Sequence, residues 1–190
     1  QGIRRDLDKL YNFSILFPAL VVFISWAFFY SLGHWDHKYL PTISVTVIKF
    51  PENHIFAAGM FIESIVLFYL LFIRHVIFIC QYEYIQTTIK IIIKHFFFIL
   101  SGLISIIGLI ALSSITLQDN FIAHNLAASC FFFGSFIHYC FVDSLFIDTG
   151  TFLRQISEYI TYSIIIFAFI YMFFLSSESN FCKSIAAILQ

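Results

Sequence analysis

The chain has 190 residues, of which 61% are apolar and only 11% charged, and its formal net charge is −1. A water-soluble domain carries about 25% charged residues, so this composition excludes an ordinary soluble fold. A balance so close to neutral produces no long-range field and argues against nucleic acid as a partner.

The apolar residues gather into five runs, at about 11–32, 55–73, 96–117, 121–142 and 159–175. One helix needs about 20 apolar residues to cross a hydrocarbon core about 30 Å thick. The first run is too long for a signal peptide and lacks a small-residue cleavage site, so it reads as an uncleaved helix. A segment from about residue 183 to 190 reads as the opening of a truncated sixth helix. The expected fold is all-α, a polytopic transmembrane bundle forming one domain over 1–190. It would have five complete spanning helices plus the start of a sixth.

The basic residues set the expected orientation. With the first helix running outward, Arg4, Arg5, Lys9, Arg74, Lys90, Lys94 and Arg154 fall on one side; Lys38, Lys49 and Lys183 fall on the other. Because Lys and Arg near helix ends favour the cytoplasm, the N-terminus is expected to be cytoplasmic. No feature selects among plasma membrane, endoplasmic reticulum and lysosome.

In chain order, the first helix contains Pro18, whose freed carbonyl neighbouring helices can satisfy. Trp26 and Tyr30 approach its outer interface. An exoplasmic loop follows, over about 33–53. Pro41 and Pro51 bracket a β-branched run from Thr42 to Ile48. Such a run favours extended structure, so the loop is expected to be ordered and to suit a short strand or hairpin. Pro51, Glu52 and Asn53 read as a helix start. The second helix carries Glu63 near the midplane. The stretch 89–94 either lies at the interface or extends the third helix. Ser101, Gly102, Ser105, Gly108 and Ala111 on the third helix let backbones approach closely. Ala123, Ala127, Gly134 and Ser135 do so on the fourth. With 116–120 as their only link, these two helices are expected to form a hairpin.

Glu63 is the sharpest candidate, because an acid inside the membrane is costly and points to function. It could bind a cation, relay a proton or hold a lipid headgroup. A Glu hydrogen-bonded to a polar neighbour is the blander account. Without a second intramembrane acid, a proton chain has no continuation.

Histidines gather on the exoplasmic side: His34, His37 and His54, with His124 one turn into the fourth helix beside Asn125. Asp36, Glu52 and Asp119 share that side. Such a set suits acid–base chemistry or the capping of helix ends. No metal-binding pattern supports a metal, and no nucleophile–base pair stands at a recognisable spacing, so no catalytic residue is assigned. His138, deep in the fourth helix, reads as a packed hydrogen-bonding group. No cofactor is implied, although a bound phospholipid or sterol suits such a bundle.

Leu40-Pro41-Thr42-Ile43-Ser44, then Pro51-Glu52 with Ile55-Phe56, then Arg74 ending the second helix, form an ordered series. His124 with Ala127, Phe132, Phe133 and Gly134 completes it. This series resembles the DRAM family (damage-regulated autophagy modulators), grouped with the Frag and Sfk membrane proteins, over about residues 10–190. The resemblance implies six helices with both termini cytoplasmic, and makes Pro41, Ile43, Ser44, Pro51 and Glu52 the family-motif loop. It implies roles in autophagy and lysosomal modulation, in regulating a lipid kinase, or in remodelling GPI-anchor lipids.

The expected function is that of a non-enzymatic regulator or accessory subunit in membrane lipid homeostasis. It would bind lipids and a larger membrane-protein complex through Glu52, His54, Glu63, His124 and Asn125. The aromatic runs Phe96, Phe97, Phe98 and Phe131, Phe132, Phe133 are candidate partner faces. One alternative is a GPI-anchor-type lipid-remodelling activity using the exoplasmic His/Asp/Glu cluster. A second is a transporter or channel, which requires a polar pathway that Glu63 and scattered serines barely supply.

Overall fold

The structure, a computed structural model, describes residues 2–35, 41–82 and 89–146. Four long helices and one short one make up these residues: α1 (Gly2–Ser31), α2 (Ile43–Thr46), α3 (Glu52–Tyr82), α4 (Ile89–Ser114) and α5 (Phe121–Phe146). The long ones contain segments apolar enough to cross a membrane, at Lys9–Ser31, Glu52–Cys80, Ile89–Ser114 and Phe121–Val142. The expected span at 159–175 and the truncated sixth helix lie outside the described residues.

Each helix overruns its apolar run at one end or the other. The run marks the hydrocarbon depth, whereas helical hydrogen bonding continues into the interfacial layers. The stretch 89–94 accordingly extends α4 rather than lying apart from it.

The end of α1 follows from one residue. Gly33 takes φ 68°, a left-handed conformation natural to glycine. His34 N–H then reaches back to Phe29 O at 3.1 Å, and Gly33 N–H to Tyr30 O at 3.2 Å. This turn closes α1 and sets His34 just beyond it.

The expected strand is not formed: among the described residues the β-branched run makes one helical turn, Ile43–Thr46. Preference for extended structure depends on a partner strand, and none lies among the described residues. Thr42, with extended backbone, receives N–H bonds from Val45 at 3.0 Å and Thr46 at 3.1 Å instead. Thr46, fully buried, adds its own hydroxyl bond to Ile43 O at 2.8 Å. The turn docks through Val47 into a core of Val21, Phe56, Met60 and Leu109, so the described part of this loop is packed.

α1 and α3 run antiparallel. The stripe Val21, Ser25, Phe29 on α1 and the stripe Glu52, Phe56, Gly59, Met60, Glu63 on α3 are both buried, at helical spacing. A Cβ built on Gly59 would lie 2.5 Å from a Val21 methyl, so the glycine is what lets the helices approach. α4 and α5 approach more closely still. A Cβ on Gly108 would lie 2.5 Å from the backbone nitrogen of Phe131, and one on Gly134 would lie 2.8 Å from that of Ser105. The Ser105 and Ser135 hydroxyls meet at 2.6 Å across this seam. A second core of Leu71, Phe98, Ile106 and Val142 joins α3 to the hairpin. Of the two aromatic runs, Phe96, Phe97, Phe132 and Phe133 are exposed, whereas Phe98 is fully buried.

Candidate functional site

The C-terminal ends of α1 and α4, the N-terminal ends of α3 and α5, and the short α2 meet at one end of the bundle, here called the loop face. Most of the candidate polar residues gather there, but in separate pairs.

His34 and Glu52 form the first pair. The α1 glycine turn positions His34, and the first turn of α3 positions Glu52. His34 Nδ1 lies 2.6 Å from Glu52 Oε1. Glu52 is fully buried, and its Oε2 has no hydrogen-bond partner. The ring is therefore held at Nδ1, and His34 also lines a cleft. Phe29, His34, Trp35, Pro41, Val45, Ile48, Lys49 and Gln118 line this cleft of about 160 Å³.

His124 is the centre of the second set. Its Nδ1 lies 2.6 Å from Ile115 O and its Nε2 lies 3.1 Å from Ser44 Oγ. A carbonyl can only accept, so Nδ1 carries the proton, and the Ser44 hydroxyl donates to Nε2. The buried imidazole thereby ties the α1–α3 loop to the end of α4. Sequence spacing concealed this hydroxyl–imidazole pair because 80 residues separate its members. Ile43 and Ser44 sit in the one-turn helix, Pro41 is buried, and Pro51, joined to Phe50 by a cis peptide bond, stands just before α3.

The remaining loop-face groups stand apart. Asp119 accepts from the Thr116 hydroxyl at 2.7 Å and from the Thr116 N–H at 3.0 Å. These bonds hold its carboxyl below the usual carboxylate range. His54 is exposed and contacts Asn53 Oδ1 at 2.6 Å. Asn125 is exposed on α5. His37 and Asp36 lie outside the described residues. Among the described residues no three His, Cys, Asp or Glu side chains gather closely enough to hold a metal ion.

Glu63 lies eleven residues beyond Glu52, about 16 Å along α3 at 1.5 Å per residue. It is 2% exposed and its Oε2 has no hydrogen-bond partner. The carboxyl thus faces the protein interior, but without a polar partner among the described residues. Ser64 beside it turns its hydroxyl to Phe61 O at 2.6 Å.

The opposite end of the bundle holds a cluster that periodicity does not reveal. His75 on α3 and His95 on α4 approach to 3.4 Å between Nδ1 and Nε2. Phe78 stacks on His95 with ring centroids 3.7 Å apart. His138 on α5 stacks on Phe98 at 4.5 Å and places Nδ1 3.0 Å from Phe98 O. Beside them Arg74 donates from Nε to the Tyr11 hydroxyl at 2.8 Å. The sequence signal was present, since three helices each carry a histidine toward the same end. Only the packing shows that two of them touch.

The profile of the Frag1/DRAM/Sfk1/Cwh43P N-terminal domain matches residues 9–190 of the chain. No curated protein and no solved structure matches it.

Proposed function

We propose, on the premise that this chain belongs to the Frag1/DRAM/Sfk1/Cwh43P N-terminal domain family, that it is a multi-pass regulator or accessory subunit of membrane lipid homeostasis. It works by holding lipid and partner membrane proteins, as part of a larger complex related to lipid kinases, lipid transfer or autophagy. The observation that supports this reading is how the loop face uses its polar groups. His124 is engaged at both nitrogens, Asp119 is bound to Thr116, and His54 is bound to Asn53. His124 fastens the α1–α3 loop to the end of α4, Asp119 braces the α4–α5 loop from within, and His54 is held on the first turn of α3, as suits a scaffold. In this reading the N-terminus is cytoplasmic and the loop face exoplasmic. The exposed Phe96, Phe97, Phe132 and Phe133 offer apolar area to a partner's helices, where packing drives association. A phospholipid or sterol seats against the bundle.

The test is purification of the full chain in mild detergent, with mass spectrometry of retained lipids and photocrosslinking from positions 97 and 132. Retained lipid and a defined crosslinked membrane protein are the expected results. A lipid-free preparation that crosslinks to nothing overturns the proposal.

A second reading, lipid modification, is favoured by one observation. The Ser44 hydroxyl, the His124 base and the Ile115 carbonyl that orients it stand in the relation of nucleophile, base and orienting group. The two readings part on Ser44→Ala. Lost acyl-transfer or hydrolysis activity with the bundle intact supports the enzyme, and unchanged function supports the scaffold.

A further inference from the structure

The cleft at the loop face combines three properties that together specify a ligand. The first is depth. His34 stands three residues beyond the membrane segment ending at Ser31, and Lys49 stands three residues before the one beginning at Glu52. So close to the ends of two candidate spans, both suit the depth of lipid headgroups. The second is charge. Lys49 supplies an ammonium, Gln118 an amide and His34 an imidazole, and no acidic side chain is among the described lining residues. The nearby carboxyl, Glu52, is fully buried and bonded to His34 Nδ1, so it orients the ring without lining the cleft. The third is the wall. Phe29, Pro41, Val45 and Ile48 are apolar, suited to a glycerol backbone and the top of an acyl chain.

We infer that this cleft binds the phosphodiester of a glycerophospholipid from the leaflet facing the loop, with the Lys49 ammonium donating to the phosphate oxygens and His34, as an imidazolium between Glu52 and the phosphate, donating from its second nitrogen. The inference rests on the lipid-binding reading above and names its ligand. Lys49 acts as a point charge on the phosphate, while His34 sets direction because Glu52 fixes its ring. Glu52 is a positioning residue.

The experiment measures binding of phosphatidylglycerol, phosphatidylcholine, diacylglycerol and sterol to the full chain in detergent by native mass spectrometry. The expected result is that both phospholipids bind and diacylglycerol binds weakly. Lys49→Glu and His34→Gln should each lower phospholipid affinity about tenfold, the loss of one charge-assisted bond, and Lys49→Arg should retain it. Lys49 is exposed, so its variants should fold, and unchanged thermal unfolding verifies this. Phospholipid binding that ignores all these substitutions overturns the cleft assignment but leaves the lipid-binding reading standing. A wild-type chain that retains no lipid at all overturns both. Inorganic phosphate binding without phospholipid binding shows an anion site and overturns the lipid assignment.

Discussion

Gly108 of α4 lies against the backbone of Phe131 on α5, so close that a methyl group in place of its hydrogen would fall 2.5 Å from the Phe131 nitrogen. In lipid, where tails are as apolar as side chains, such backbone approach is a main source of helix association. Gly108→Ala is expected to push the hairpin apart and lower the thermal midpoint of the bundle in detergent. Because the obstacle is main chain, no side-chain truncation nearby should restore it. A midpoint equal to wild type would count against the seam.

The α1–α3 contact makes the opposite forecast. A Cβ on Gly59 would meet the methyl groups of Val21 at 2.5 and 2.6 Å. Gly59→Ala should destabilise, by about 1–3 kcal/mol for an overpacked site, and Val21→Ala should recover much of that loss in the double variant. Additive losses in unfolding experiments on the four-member cycle would contradict the contact.

His124→Phe preserves the ring but strands the Ile115 carbonyl and the Ser44 hydroxyl. An unpaired buried polar group costs about 1–3 kcal/mol, so this change should exceed Ser44→Ala in its effect on stability. It should also increase protease cleavage of the α1–α3 loop. Resistance to cleavage equal to wild type in His124→Phe would show that the histidine does not hold the loop.

Glu63→Gln keeps the shape of the side chain and removes its capacity for charge. A charge at the centre of the bilayer costs at least about 2.5 kcal/mol on insertion scales, and Glu63 Oε2 has no bond to lose. The substitution should therefore leave folding and membrane insertion intact. A collapse in expression or thermal stability would reveal a ligand or cation that depends on the carboxylate.

Asp119 gives the loop between α4 and α5 a pH dependence. Hydrogen bonds from Thr116 depress its folded-state pKa, so its contribution is present above the unfolded carboxylate value. That contribution is lost as pH falls through the lower folded value. The protection factor of the Thr116 amide should be flat near neutrality and drop in acid. In Asp119→Asn the acid-dependent drop should disappear.

The sequence made the spanning helices legible because apolar length is a one-dimensional property. The small-residue spacing on α4 and α5 announced their seam for a similar reason, and Pro51 with Glu52 marked the start of α3. The turn at Ile43–Thr46 is not legible in the sequence, because β-branched residues follow their partners and the run itself carries no sign of whether a partner strand exists. The pairs Ser44–His124 and His75–His95 were hidden because they join residues 80 and 20 positions apart. Only the way the helices fold back on one another brings them together. His34 and Glu52 stand out in the sequence only as members of one broad exoplasmic cluster; the fold makes them a private pair.

The hydroxyl contact between Ser105 and Ser135 has a mechanical consequence. Two helices whose main chains touch at Gly108 and Gly134 cannot slide past one another without first lifting apart, and sliding one turn would separate the hydroxyls by about 5 Å. The hairpin therefore moves as one stiff lever. Any rearrangement that ligand or partner binding provokes must be taken up where side chains alone form the contact, between α3 and its two neighbours. A spin label on α4 should keep its distance to one on α5 under every condition, while the distance from either to α1 reports the change of state.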